Sequence, residues 1–546
     1  LRGVREALFS ALFLPHRQGI KMQSQGTQAM KNWLMVAAFA MATLALAGCS
    51  VNPVTGKSQL SIISPQQEIA IGEKNYSPSR QSQGGDYYID PRLQSYVNGV
   101  GQKLAAVSDR PKLPYEFVVL NNRVPNAWAL PGGKIAINTG LLVLLDDEAQ
   151  LAAVLGHEIV HAAARHGATQ MTSGTLANIG MIAVGVAVQD QPGEQLYGMA
   201  SQMGTAAWMA KYGRDDELES DYYGMSYMAK AGYEVQGAVE LQETFVELSK
   251  SRQADFLSGL FASHPPSAQR VAANKLRVAD FASGQRYRRR YQTAIAQLTK
   301  DAPAYAAEKL AVKALADSEP SLAIKHLDSA VALQPAEAQF WVLRGQAWMM
   351  LNNPANAEKS YTTAITKNKA VYSPYLARGI LRYEQGDKGA AEVDLKRSYE
   401  LLPTAKASFY LGELALDNKQ YQQANGYFEQ SAQDRGALGN QSREKIQQVN
   451  LQLRPQTFLA FSQAVSNKGA LLISVVNTSP RAMRSIILHI DGPLDRSGYG
   501  PTKTITMTRD LQSGQQVTIK AGLSYFLPNQ QAARYRIAAK SAKLVD

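Results

Sequence analysis

The stretch Leu151-Ala152-Ala153-Val154-Leu155-Gly156-His157-Glu158-Ile159-Val160-His161-Ala162-Ala163-Ala164-Arg165-His166 decides how the rest of the chain reads. Its Ala/Leu content and lack of proline predict a helix. Histidines four apart on a helix lie about one turn apart on the same face, so His157 and His161 can reach one metal ion. Glu158, between them, is then placed to act as base on a metal-bound water, the pattern of a zinc hydrolase. With seven histidines in 546 residues, a chance match to this pattern is expected in under about 1% of sequences. His166 follows His161 by five residues, about 140° around an ideal helix, and is predicted to face away from the metal as a structural residue.

Two histidines do not complete a zinc site; a third protein ligand and an open position are needed. The segment Arg214-Asp215-Asp216-Glu217-Leu218-Glu219-Ser220-Asp221 offers one. Glu217 and Asp221 are four apart and share a helix face, so Glu217 can ligate while Asp221 orients a liganding imidazole. Spacing alone is equally consistent with a solvated acidic face. Glu219 lies about 200° around from Glu217 and is not expected at the site.

Composition sets the surroundings. The formal net charge is +12, of which the first 48 residues contribute +4 from five Lys/Arg and one Glu, leaving +8 spread over the rest. The one basic cluster, Arg286-Tyr287-Arg288-Arg289-Arg290, reads as a solvated face, and no nucleic-acid partner is expected. The only cysteine is Cys49, which excludes an intrachain disulfide and a multi-thiolate zinc site. It ends a basic-then-apolar leader (Lys31, then Trp33 to Ala47) at Leu46-Ala47-Gly48-Cys49-Ser50. That ending resembles a bacterial lipoprotein cleavage site, which implies a lipid anchor at Cys49 and a periplasmic-side, membrane-attached location; Ser50 favours the outer membrane by the same resemblance.

Between the tether and the His157 helix, helices are expected from Pro65 through Tyr76 and from Pro91 to Val107, with a strand over Tyr115–Leu120. Asn126 to Asn138 reads as two strands joined by Pro131-Gly132-Gly133. Such a hairpin is either an edge on which an extended peptide pairs or a plain core hairpin. Downstream, Gly174–Val188 is expected as a buried or site-covering helix and Gly193–Gly204 as a mobile small-residue segment.

The Glu217-x-x-x-Asp221 element, the His157 helix and the Asn126-Ala127-Trp128-Ala129-Leu130-Pro131-Gly132-Gly133 hairpin together resemble the HtpX and CAAX-prenyl-endopeptidase class of zinc metallopeptidases. Ser263-His264-Pro265-Pro266-Ser267-Ala268-Gln269-Arg270 resembles that family's His-Pro element with its following arginine, and the likeness covers residues 60–275. The resemblance implies one Zn2+ held by His157, His161 and Glu217, with Glu158 as general base and polypeptides as substrates. His264 or Arg270 can supply an oxyanion donor, or His264 can take the open zinc position and hold the site latent. Equally, His264 caps a proline-containing turn and Arg270 forms a structural ion pair.

A second pattern fills the C-terminal half. Ala323, Ala357, Ala391 and Ala424 recur at spacings of 34, 34 and 33, each followed four residues on by Leu327, Tyr361, Leu395 or Phe428. Gly345, Gly379 and Gly412 stand twelve residues before an alanine of the set. This resembles tetratricopeptide repeats, helix pairs whose neighbours complete the core. From Leu453 the pattern becomes alternating strands, at 470–477, 485–490, 503–507, 516–520 and 535–539.

The chain is thus expected to be multidomain. An upstream extension and signal peptide (1–48) precede an α+β zincin-like metallopeptidase domain (49–300), an all-α repeat solenoid (301–437) and a small all-β sandwich used for interaction (453–546). A peptidase joined to such repeats resembles envelope proteases of outer-membrane protein assembly, implying outer-membrane proteins or their assembly machinery as partners. The competing class is a chaperone or assembly scaffold with a latent peptidase site.

Overall fold

A computed structural model describes residues 49–175, 212–250, 258–493, 500–523 and 532–545. Packing divides the chain into two units, one built from 1–76, 92–119 and 123–294, the other from 77–91, 120–122 and 295–546. The apolar leader at 33–47, most of the 174–188 stretch and the 193–204 segment lie outside the described residues. Among the described residues no helix is long and apolar enough to cross a membrane.

The first unit opens with a hairpin, β1 (Cys49–Val51) paired antiparallel with β2 (Ser58–Leu60). Helix α1 (Pro65–Ser82) begins where proline at its first position predicts. Ser64 and Gln67 close a reciprocal cap, Gln67 N donating to Ser64 Oγ at 3.2 Å and Ser64 N to Gln67 Oε1 at 2.8 Å. Helix α2 (Pro91–Ala105) buries the predicted stripe of Leu93, Val97, Val100 and Leu104. Strands β3 (Glu116–Leu120), β4 (Ala127–Leu130) and β5 (Lys134–Asn138) form one sheet in the order β3-β5-β4, which leaves β4 at an edge. The β4–β5 turn uses Gly132 and Gly133 at φ of 78° and 82°, a conformation that side chains resist.

The short α3 (Thr139–Leu142) leads to α4 (Glu148–Ala163), the helix carrying His157 and His161. Asp147 caps α4 by accepting from Gln150 N at 3.1 Å. Next come α5 (Arg214–Lys230), α6 (Gln236–Ser249), α7 (Ser258–Ser263), α8 (Ala268–Arg277) and α9 (Arg288–Ala294). The basic cluster at 286–290 is not simply a solvated face. Arg286 Nε donates to Asp147 Oδ2 at 2.6 Å, and Arg290 pairs with Glu148, which also accepts from Tyr96 and Tyr233. Both carboxylates are fully buried at the start of α4, where an uncompensated charge is costly, and the arginines neutralise them.

Helix α5 crosses α4 at a pair of glycines. A Cβ on Gly156 would sit 3.1 Å from Gly224 O, and one on Gly224 would sit 3.1 Å from His157 N. Backbone therefore meets backbone at this crossing, and a Cβ on either glycine would press on the facing main chain.

In the second unit, paired helices α10 (Ala296–Ala316) and α11 (Pro320–Leu333), α12 (Ala338–Met350) and α13 (Pro354–Lys367), α14 (Tyr372–Glu384) and α15 (Lys388–Leu401), and α16 (Ala405–Asp417) and α17 (Tyr421–Ser431) lead to α18 (Ala437–Leu453). The repeat pattern has a direct steric cause. A Cβ on Gly345 would fall 2.3 Å from the Tyr361 ring, and Gly379 and Gly412 meet Leu395 and Phe428 in the same way. The recurring alanines are fully buried.

The same unit holds two three-stranded antiparallel sheets, β6 (Leu459–Val465), β7 (Leu471–Asn477) and β10 (Gln516–Lys520) in one, β8 (Met483–Asp491), β9 (Thr502–Met507) and β11 (Arg536–Leu544) in the other. Ile473 and Val475 from the first and Ile486, Leu488 and Ile490 from the second belong to one core. Strand β6 lies outside the expected strands: only its first residue, Leu459, is buried, and its apolar alternation is weak.

Replacing Gly224 by Leu should destabilise the protein by roughly 1–3 kcal/mol through overpacking, read by denaturant unfolding. A loss no larger than that of an exposed Gly→Leu change in a loop would contradict the close crossing.

Candidate active site

Three elements converge on one point. Helix α4 brings His157 and His161, whose Nε2 atoms lie 3.0 Å apart. Helix α5, held close by the glycine crossing, brings Glu217 to 3.5 Å from His157 Nε2 and 3.3 Å from His161 Nε2. His264, just past α7, places Nδ1 at 3.3 Å from His157 Nε2 and 3.0 Å from Glu217 Oε1. One ligand atom from each of the four residues lies within 4.8 Å of the others, and all but His157 are buried.

The set fits a metal. A tetrahedral ion with bonds of about 2.0–2.1 Å separates its ligand atoms by about 3.3 Å, close to the separations seen here. Four lone-pair-bearing atoms crowded so tightly repel one another unless a cation or protons lie between them. Glu158 Oε2 is buried with no hydrogen-bond partner among the described residues, the position an incoming proton would take. Its Oε1 lies 3.4 Å from His264 Nε2.

Electrostatics follow from this crowding. Burial favours a neutral His157, but the Glu217 carboxylate and Asp221 outweigh it and push the imidazole up to about 10. Burial opposes ionisation of Glu217, yet His264 and His157 hold its carboxyl far below the usual range. His161 is pushed well down by burial, with His157 and His166 adding to the effect. Glu158 is raised by burial against the pull of His264 and His157, which suits a proton acceptor.

The supporting residues are tied down. His157 Nδ1 lies 3.1 Å from Asp221 Oδ1, which fixes the ring with Nε2 toward the cluster. Arg270, on α8, donates from Nε to Asp221 Oδ2 at 2.7 Å and from Nη2 to Oδ1 at 2.6 Å, and its Nη1 lies 2.6 Å from Glu217 Oε2. Its remaining reach goes to Pro265 O at 3.2 Å. Burial opposes the Asp221 charge, but this guanidinium outweighs it and holds the carboxyl well below its ordinary value.

His166 and Glu219 stay outside the ligand group, but His166 makes a contact that an ideal helix does not give. Helix α4 ends at Ala163, and Arg165 adopts a left-handed φ of 65°, so the ideal helical wheel no longer applies beyond it. The turn swings His166 back until its Nδ1 lies 2.9 Å from His161 Nδ1, while its Nε2 lies 3.3 Å from Glu219 Oε1. Glu219 in turn accepts from Asn52 Nδ2 at 2.8 Å. Tyr212 stacks on His161 with ring centroids 3.8 Å apart, and no sequence signal marks it. The contacts of His166 and Asn52 join residues far apart in the chain, which periodicity cannot reveal.

The fold and site define a metallopeptidase domain joined to a repeat array. Residues 91–277 match the model of peptidase family M48, and residues 308–370 and 376–439 match that of the tetratricopeptide repeat. The chain therefore carries an M48 peptidase domain followed by tetratricopeptide repeats, an architecture of protein–protein interaction. The beta-barrel assembly-enhancing protease of Escherichia coli (strain K12) is 30% identical over 241 residues, covering 41% of this chain and 47% of that protein. The mitochondrial metalloendopeptidase OMA1 of Arabidopsis thaliana is 28% identical over 207 residues (38% of this chain, 40% of that protein), and the metalloprotease YcaL of Escherichia coli (strain K12) is 31% identical over 169 residues (30% and 63%). The chain spans about half the length of the first curated relatives it matches.

Removing Arg270 strands two buried carboxylates. In metal-free protein, Arg270→Met should cost roughly 3–5 kcal/mol, measured by urea unfolding at neutral pH. Because the folded Asp221 carboxyl is depressed, its contribution is full above an unfolded pKa of about 3.9 and fades as pH falls below it. Asp221→Asn should flatten that part of the acid-stability profile, and an unchanged profile would count against the pair.

Proposed function

We propose that the protein is a zinc-dependent endopeptidase of the bacterial cell envelope that acts on misassembled polypeptides, outer-membrane proteins among them. The observation carrying this reading is the buried Glu158 Oε2, unpartnered among the described residues, beside the cluster of His157, His161 and Glu217. Zinc, when bound, would supply Lewis acidity toward the peptide carbonyl and the attacking water. Glu158 takes the proton from that water and returns it to the leaving amine nitrogen. Asp221 orients His157, and Arg270 holds Asp221 and Glu217 in place. With its donors committed to these carboxylates and to Pro265 O, Arg270 acts as a positioning residue rather than an oxyanion donor.

The surroundings support a peptide substrate. Beside His157 and Glu158 opens an apolar pocket walled by Ala153, Val154, Met225, Met228, Leu241 and Phe245, suited to an apolar side chain. Strand β4 stands at the edge of its sheet, the position at which an extended peptide would pair, although its four residues are themselves buried. The repeats would bring the client. The leader pattern ending at Cys49 supports lipid anchoring on the periplasmic side, and the name of the Escherichia coli relative supports β-barrel proteins as clients.

His264 Nδ1 lies among the ligand atoms, which supports His264 as a guard on the fourth metal position rather than as a donor to substrate. A guarded site also accommodates a scaffold role between cleavage events.

Glu158→Gln should abolish cleavage of an unfolded protein substrate, by about 10²–10⁴-fold or more, while retaining zinc. If the variant still cleaves, or if it fully supports outer-membrane assembly in cells, the proteolytic reading of the main role fails. His264→Ala should raise peptidase activity if His264 is a guard; a fall with unchanged zinc content would assign it to substrate instead.

A further inference from the structure

The tether region does more than lead into the peptidase domain. Asn52, three residues after Cys49, is 6% exposed, and its two side-chain ends are used differently. Oδ1 accepts from Val54 N at 2.9 Å and Thr55 N at 3.2 Å, closing the turn between β1 and β2. Nδ2 points the other way and donates to Glu219 Oε1 at 2.8 Å. Glu219 Oε1 lies 3.3 Å from His166 Nε2, and His166 Nδ1 lies 2.9 Å from His161 Nδ1.

Proton bookkeeping gives this chain one direction. His161 must keep its Nε2 lone pair free for the cluster, so its proton sits on Nδ1 and is donated to His166 Nδ1. His166 then carries its own proton on Nε2 and donates it to Glu219, which also accepts from Asn52. Every member is satisfied only in this arrangement. His157 is oriented directly by Asp221; His161 is oriented by a carboxylate one imidazole further away.

The turn that makes this possible is also braced from the same part of the chain. Gln59 Nε2 donates to Ala164 O at 3.3 Å. Arg165, the left-handed residue, donates from Nη2 to Ile63 O at 2.5 Å and from Nε to buried Glu68 at 2.9 Å. Ile62 N donates to Thr172 Oγ1 at 3.2 Å. Residues 52–68 thus hold both ends of the arrangement, the turn that aims His166 and the carboxylate that receives its proton.

We infer that His166, Glu219 and Asn52 are positioning residues for His161, and that segment 49–68 and the metal site are energetically coupled through them. This rests on the reading of His157, His161 and Glu217 as metal ligands. Outer partners of liganding imidazoles set ring orientation and basicity, and losing one typically weakens metal affinity by about 10–100-fold. Coupling of this kind is reciprocal: whatever the segment does for zinc affinity, zinc does for the order of the segment. If Cys49 carries the membrane anchor, the residues that close the chain are those next to the attachment point.

The test is zinc affinity of the full chain by chelator competition, with amide hydrogen exchange over residues 51–63 as a second readout. Asn52→Asp keeps the Oδ1 acceptor that closes the turn, removes the donor to Glu219 and sets a second carboxylate against it. It should weaken zinc binding, and Glu219→Ala and His166→Phe should each weaken it by about 10–100-fold. Zinc should slow exchange in 51–63 in the parent protein and not in His166→Phe. Zinc affinity within twofold of the parent in all three variants, with His161→Ala still losing the metal, would overturn the inference. If His161→Ala also keeps full zinc affinity, it is the metal-site reading that fails.

Discussion

The contact between Gly156 and Gly224 is the constraint on which the site depends. At 3.1 Å from a would-be Cβ to backbone, α4 and α5 approach more closely than ordinary side-chain contact allows. That proximity brings Glu217 within 3.3–3.5 Å of the two histidine nitrogens. It also lets Asp221, one turn before Gly224 on the same face, reach His157 Nδ1. A wider crossing would leave Glu217 out of reach of the two histidines. Nothing about Gly156 or Gly224 looks chemical in the sequence, yet the chemistry is assembled by their lack of side chains.

Packing helices so closely buries charge, and the fold answers several of the buried carboxylates with a cation. Glu217 and Asp221 share Arg270; Asp147 and Glu148, at the start of α4, take Arg286 and Arg290; Glu68 takes Arg110 and Arg165. Buried ion pairs of this sort contribute little net stability against an apolar replacement, but breaking one leaves an uncompensated charge. Their effect here is to fix both ends of α4 and the carboxylates that face it. Arg270 is the clearest case: its place beside a His-Pro element suggests a role with substrate, whereas its geometry is that of a clamp.

The second unit shows the opposite balance between local and distant information. In the repeats, each glycine faces the large residue sixteen positions later in the adjoining helix, so the period of the sequence is the period of the contacts. The repeat register, the helix starts at Pro320 and Pro354 and the buried alanines all follow from it. The β strands are legible where one face is buried, as in Leu471–Asn477 with its strict alternation of burial, and illegible in Leu459–Val465, where little is buried.

Sequence alone determined what depends on short-range periodicity. It yielded the helix with His157, Glu158 and His161 on it, the Glu217 and Asp221 pair one turn apart, the β4–β5 turn at Gly132-Gly133, and the repeat array. Tertiary structure decided what depends on direction and on long-range approach. One left-handed residue, Arg165, ends the regular helix and sets His166 against the Nδ1 side of His161, because an ideal wheel holds only while the hydrogen-bonded helix continues. Glu219 stays out of the ligand group, as its place on α5 predicts, and meets His166 instead. Asn52, far from both in the chain, closes that path, since a hydrogen bond depends on distance in space and not on separation in sequence.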